Sequence, residues 1–191
     1  PQWFERLHKG EKGLNKVTYT KNGELTSIKN FGRAEGFLGI ECNANAISLD
    51  KNGVFWIGTV NGVSTYNPSE EKANIYPPLV YLRKIKLFYE EVDWSKYTKS
   101  INHWTKQPKN LVLTYKENNL TFEYHGINYR NPGKVKYQYI LEGNDQTWHP
   151  VTDKNEATYT NIPPGEYTFK IKAANEDGIW SKPYEFSFVI E

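Results

Sequence analysis

The feature that most constrains this chain is a set of apolar faces with a period of two, filling its second half. Leu111, Leu113 and Tyr115 fall at alternate positions, and so do Leu120, Phe122 and Tyr124 beyond Asn118-Asn119. Tyr137, Tyr139 and Leu141 follow, then Tyr167, Phe169, Ile171 and Ala173, and finally Tyr184, Phe186, Phe188 and Ile190. Successive side chains of a strand point to opposite faces. Each run therefore offers one apolar face, and several such faces between turns are buried by packing two sheets together. Composition agrees: 15% of the residues are aromatic, with 14 Tyr, 9 Phe and 6 Trp, side chains that favour pleated surfaces. The fold class predicted is all-β.

Turn signals divide the chain into short strands: KNGE at 21–24, DKNG at 50–53, VNG at 60–62, NPG at 131–133 and PPG at 163–165. Pro77-Pro78 separates a glycine-rich first region from a tyrosine-rich second one, which puts a domain boundary between residues 1–76 and 77–191. Within the first region GTVNGVSTYN (58–67) repeats KGEKGLNKVT (9–18), with Gly62 opposite Gly13 at an offset of 62 − 13 = 49 residues. A period of this size, closed by a glycine hairpin, points to four-stranded propeller blades. One segment breaks the pattern. Trp94, Tyr97, Ile101 and Trp104 have helical spacing, with acids before and Lys106 after, so a short helix competes there with a surface loop.

Charge excludes one class of function. With 24 Lys and Arg against 22 Asp and Glu, the net charge is +2 and the basic residues are scattered, so no phosphate-binding surface is predicted and nucleic acid is not an expected partner. No apolar run approaches the ~18 residues of a bilayer span. The chain begins at Pro1 and has no methionine, and the expectation is an excised part of something longer. Cys42 stands alone, so no internal disulfide forms and a small buried hydrophobe is expected.

Catalytic, cofactor and metal constellations are missing from the sequence. His8, His103, His125 and His149 are far apart, with no His-x-x-x-His or Cys/His pairing. Asp50-Lys51-Asn52-Gly53 lacks the carboxylates that a calcium loop needs after it and reads as a hairpin turn. Asn119-Leu120-Thr121 fits a glycosylation acceptor by spacing alone. No enzymatic activity, cofactor or metal is expected of this chain.

The strongest local motif is IPPGEYTFKIKAANEDGIWSKP (162–183). A turn through Pro164-Gly165 feeds a strand at Tyr167, the position of a tyrosine corner whose hydroxyl returns to the backbone upstream. Phe169 adds bulk two residues later, and Trp180 covers the end of the Asn175–Gly178 turn. Tyr137, Tyr159 and Tyr167 fall one per strand, with Trp148 between. On YQYILEG, DQTW, ATYTNIPPGEYTF and NEDGIW, the stretch from Leu111 to Glu191 resembles the three-tyrosine (Y_Y_Y) domain of bacterial two-component sensors. Upstream, AISLDKNGVFWIGTVNGVSTYNP (46–68), with Trp56, Gly58 and Gly62 as its markers, resembles the two-component regulator propeller repeat.

The resemblance implies about one and a half blades of a β-propeller followed by an immunoglobulin or fibronectin-III-like sandwich. It implies a periplasmic or extracellular sensor and connector of a membrane-bound histidine kinase, simple or hybrid. There the propeller senses a ligand, often a carbohydrate breakdown product, and this domain leads to the membrane. Because a propeller closes only with four to eight blades, residues 1–76 are expected to pack on their own sandwich or to pair with another copy, as a homodimer. A competing reading is a carbohydrate-binding module or spacer of a secreted glycan-degrading enzyme, with Trp94, Tyr97 and Trp104 stacking on sugar faces. Those three also fit a sandwich edge.

Overall fold

The computed structural model describes residues 3–10, 13–37 and 42–191, and the side chains of all of these except 3–5, 9, 10, 34, 42, 44 and 45. The side chain of Cys42, expected as a buried hydrophobe, lies outside the described set. With 50% strand and 6% helix the fold is all-β. The chain divides into two compact units, Pro1–Lys72 and Ala73–Glu191.

The first unit holds two three-stranded antiparallel sheets. One is β1 (Trp3–Gly10), β2 (Gly13–Thr20) and β3 (Leu25–Phe31); the other is β4 (Cys42–Leu49), β5 (Phe55–Thr59) and β6 (Gly62–Tyr66). The sequence repeat corresponds to one hairpin built twice. Gly10 pairs with Gly13 in the first sheet and Thr59 with Gly62 in the second, at the same offset. Gly13 and Gly62 both take positive φ, 119° and 128°, the left-handed region that a side chain resists. At Gly58 the constraint is space: a Cβ would lie 2.8 Å from that of Ala46 across the β4–β5 pair.

Asp50 organises the DKNG turn. Its carboxylate accepts from the amides of Asn52 (2.8 Å) and Val54 (3.0 Å) and from the indole of Trp56 (3.0 Å), and the Trp56 bond leads the effects that hold its carboxyl below the ordinary range. The unit has a small core of Leu14, Phe37 and Ile57, with Leu7, Phe31, Phe55 and Tyr66 against it.

Glu71 ties the two sheets of this unit together. Its carboxylate takes Lys16 of β2 at 2.5 Å, Lys29 of β3 at 2.9 Å and the hydroxyl of Tyr66 of β6 at 2.5 Å. Burial alone would raise its pKa, but Lys16, Tyr66 and Lys29 outweigh it and hold the group at about 2. A depressed native pKa stabilises the fold above the unfolded value and is lost as pH falls through the native one. This unit should therefore lose on the order of 2 kcal/mol between about pH 5 and pH 2 through Glu71, after allowance for screening. Acid titrations of wild type and Glu71→Gln should converge at the low end of that window; parallel curves would remove Glu71 from this role.

The second unit is the sandwich. One sheet runs β12 (Glu156–Tyr159), β10 (Leu120–Ile127), β7 (Leu79–Leu87) and β8 (Glu90–Glu91); the other runs β11 (Lys136–Glu142), β13 (Gly165–Ala174), β14 (Tyr184–Ile190) and β9 (Leu111–Leu113). All pairs are antiparallel except β14 with β9. The predicted faces point inward: Leu120, Phe122 and Tyr124 are buried, as are Phe169, Ile171, Ala173, Phe186, Phe188 and Ile190. Tyr115 departs from its run, lying beyond β9 and 59% exposed.

Across the middle, Phe122 of β10 stacks on Phe169 of β13 with ring centroids 4.1 Å apart and planes at 7°. The helical spacing at 94–104 yields only a single 3-10 turn, Trp94–Lys96, capped by Asp93 on the Ser95 amide. A loop follows, pinned by a bridge between Ile101 and Pro108. Trp94, Tyr97 and Ile101 reach the core from that loop, so burial in a sandwich edge, not a helix, explains their spacing.

Candidate functional site

The sandwich has distinct entry and exit ends. Leu79 starts β7 opposite Ile127, and β11 begins at Lys136 opposite Ala174, at the end where β14 also starts. At the other end Leu87 and Tyr159 flank Leu120, and Ile190 lies between Gly165 and Leu113. The connection from Tyr159 to Gly165 joins the two sheets there. The chain thus enters the unit at one end and passes out of its last strand at the opposite one, about 30 Å away for a nine-residue strand.

The entry end carries the densest polar cluster of the unit. Asn175 sits where β13 runs into the NEDG turn. Its Oδ1 accepts from the amides of Asp177 (3.0 Å) and Ile179 (2.9 Å), an Asx turn that fixes the side chain. Its Nδ2 then donates to the carbonyls of Asn74 (2.6 Å) and Tyr76 (2.8 Å), in the segment that leads into β7. Asp177 accepts from the Asn74 amide at 2.6 Å. The Asn74 side chain donates to Asn128 (3.3 Å) and Glu176 (3.2 Å), and Asn128 donates to Glu176 at 2.5 Å and to the Asn131 carbonyl at 3.2 Å.

Asn74, Asn128, Asn131 and Asn175 are all buried, and the Glu176 side chain is 8% exposed, with Arg130 3.8 Å away. Buried polar groups of this kind are costly unless bonded, so the cluster holds the incoming segment in one position. It is a clamp on the strand that enters the sandwich. The sequence points to Asn175 only as part of a turn, and Asn74 and Asn128 are invisible in it because they lie 101 and 47 residues from Asn175, by subtraction of their numbers.

The three tyrosines are structural anchors. Tyr167 is buried, and its hydroxyl donates to the Pro163 carbonyl at 2.7 Å, the expected corner. Tyr137 accepts from the Gly126 amide at 3.0 Å. Tyr159 donates to Asp145 at 2.5 Å, and Asp145 also accepts from the Leu141 amide at 2.8 Å and lies 3.2 Å from His149. Burial would raise the Asp145 pKa, but the Tyr159 hydroxyl and the Leu141 amide hold it below the ordinary range; burial and Asp145 push Tyr159 far above its own.

The Tyr124 hydroxyl, by contrast, is buried with no hydrogen-bond partner among the described residues. The two hydroxyls should respond oppositely to removal: Tyr167→Phe should cost about 1–3 kcal/mol, whereas Tyr124→Phe should be neutral or stabilising by about 1 kcal/mol. Denaturation midpoints of the two variants check this, and equal losses would contradict it.

Trp148 and Trp180 form a surface pair around Lys172, whose ammonium lies 4.4 and 5.0 Å from their ring centroids. The three proposed sugar-stacking residues are not brought into one platform. Trp94 is buried and packs against Tyr97 at 5.4 Å, while Trp104 is 91% exposed. No grouping of His, Cys, Asp and Glu fit to hold a metal occurs among the described residues, and none of their helices is long and apolar enough to cross a membrane. The hairpin reading of Asp50 is the geometry seen, and the Asn119 side chain accepts from the Asn161 amide at 3.1 Å.

Comparison with known proteins agrees with this architecture. Residues 128–191 match the Y_Y_Y domain, within the stretch from Leu111 onward that carries its motifs. The chain is 29% identical over 170 residues to Histidine kinase P4 of Formosa agariphila, covering 87% of this chain and 12% of that protein. Its fold matches part of the extracellular domain of a hybrid two-component system of B. thetaiotaomicron, with TM-score 0.68 at 21% identity over 97% of this chain and 26% of the other. A second such domain from the same organism matches with TM-score 0.51 at 22% identity, over 98% of this chain and 24% of that one. The chain thus resembles extracellular domains of two-component sensors and spans only about an eighth to a quarter of the proteins it matches.

Proposed function

We propose that this chain is a non-catalytic, extracytoplasmic connector of a membrane-bound two-component sensor kinase. In this reading Pro1–Lys72 supplies the last strands of a β-propeller that binds a carbohydrate, and Ala73–Glu191 passes its rearrangement towards the membrane within a dimer. The observation that carries the reading is the polarity of the sandwich: the chain is clamped in at one end by Asn175 and its partners and leaves at the other. A densely packed sandwich between those points is poorly compressible and moves as a body. The repeated glycine hairpin supports the propeller part, and the sensor relatives support the membrane setting.

A flexible Gly-Ser-Gly-Ser insertion between Lys72 and Ala73 of the full-length protein, ahead of the clamped Asn74, tests the reading. A panel of oligosaccharides should still bind, and the change in autophosphorylation on binding should disappear. An unaltered response would show that the signal does not travel through this junction.

A further inference from the structure

The exit end of the sandwich holds a strained turn. Leu87 pairs with Glu90, so Phe88 and Tyr89 form the whole connection between β7 and β8. Both have positive φ, 50° and 68°, the geometry of a two-residue I′ turn, where Asn-Gly is the usual occupant because bulky residues resist it. Here the two positions carry aromatic rings that are 46% and 65% exposed. Their burial therefore does not offset the strain. The amide of Phe88 donates to the Asn119 carbonyl at 2.9 Å, which sets the turn beside the 114–119 loop. That loop presents Tyr115, 59% exposed, with the Lys116 ammonium 5.7 Å from its ring centroid. Strained backbone tends to persist at functional sites, and here it carries two rings left about half or more open to solvent.

We propose that this end is a membrane-contact tip, in which Phe88, Tyr89 and Tyr115 seat in the headgroup region of a phospholipid bilayer. The proposal rests on the connector reading, which puts a bilayer beyond the point where the chain leaves β14. Aromatic rings, above all those with a polar edge, are the side chains that settle at a membrane–water boundary. The rest of the tip suits it: Asn118, Asn161 and Pro164 carry no charge, and the Glu117 carboxylate is engaged by the Thr114 amide and hydroxyl at 3.1 and 2.8 Å. Glu90 and Glu191 also lie at this end, so the surface favoured is zwitterionic, not anionic. A second copy of the chain is a poorer occupant, because three rings on two loops fall well short of the roughly 800 Å² per partner that a stable interface buries.

The test tethers the full chain, with a hexahistidine after Glu191, to phosphatidylcholine vesicles carrying a small fraction of nickel-chelating lipid. Amide hydrogen exchange is compared with that of the free chain. Exchange at 88–90 and 115–118 should slow severalfold on the vesicle, while the entry-end loop at 129–131 should not change. Phe88→Asn with Tyr89→Gly should abolish the slowing and raise the denaturation midpoint, because the strain is relieved. Equal exchange in tethered and free protein would overturn the proposal, as would slowing that persists in the double variant. Slowing that appears without vesicles and grows with protein concentration would assign the tip to a second copy instead. The readout uses neither ligand nor kinase output, so it can fail while the connector reading stands, and the reverse.

Discussion

Replacing Asn175 by alanine is expected to destabilise the sandwich by about 3 kcal/mol and to release the segment that enters it. The side chain makes four hydrogen bonds, two that hold its own turn and two that hold the carbonyls of Asn74 and Tyr76. Truncation leaves the buried Asn74 carbonyl and three partly buried backbone groups, the Tyr76 carbonyl and the Asp177 and Ile179 amides, without these partners. That costs more than the bonds themselves contribute, because the desolvation already incurred is no longer offset. Chemical denaturation gives the stability change. Hydrogen exchange gives its location: the Asn74 amide, now held by Asp177 at 2.6 Å, should exchange much faster while β10 and β13 stay protected. A uniform loss of protection across the sandwich would mean that Asn175 supports the core at large and is not a clamp.

Phe122→Ala should have the largest effect of any single change considered, about 3–5 kcal/mol. Phe122 has no exposed surface and lies at the centre of an aromatic cluster spanning both sheets. It stacks on Phe169 and has Phe188 at 5.9 Å and Tyr159 at 6.4 Å. The neighbouring rings are fixed by their own strands and cannot collapse into the space, so both the transfer term and the cavity term are incurred in full. For a unit of this size the thermal midpoint should fall by roughly 12–20 °C. Phe122→Leu should cost about half as much. A fall of only a few degrees for the alanine variant would show that the two sheets are not joined through this stack.

Most of the sandwich was legible because its strands keep strict alternation and its turns use residues with one conformational purpose. Leu120, Phe122 and Tyr124 are inward on period alone, and Tyr167 could be placed at a corner because Pro163-Pro164-Gly165 turns the chain just before it. The strand β7 was not legible, and the reason is local. Val80 and Leu82 point inward, then Ile85 and Leu87, because a bulge at Arg83 shifts the register against Glu123 and Tyr124. A bulge inserts one residue and breaks the period of two.

The helical spacing at 94–104 left helix and loop both open for a related reason: a loop laid across a sandwich edge can bury every third or fourth residue without coiling. The clamp was illegible because it is assembled from three separate segments, and no local pattern records which asparagine will be buried. The exit tip was hidden as well, since nothing in Phe88-Tyr89 resembles the Asn-Gly signal that marks an I′ turn.

Asn175→Asp separates the two halves of the clamp. The carboxylate keeps the oxygen that accepts from the Asp177 and Ile179 amides, so the turn remains bonded, but it has no donor for the carbonyls of Asn74 and Tyr76. The most direct test of the relay is ligand-dependent autophosphorylation of the full-length sensor in membranes, wild type against Asn175→Asp, with Tyr167→Phe as a control of comparable stability loss away from the entry end. The connector account predicts that oligosaccharide binding survives in all three, that Tyr167→Phe still responds, and that Asn175→Asp binds without changing its kinase output. A full response from Asn175→Asp would contradict the account, because the Asn74 and Tyr76 carbonyls would then have lost their Asn175 donor and the signal would pass regardless.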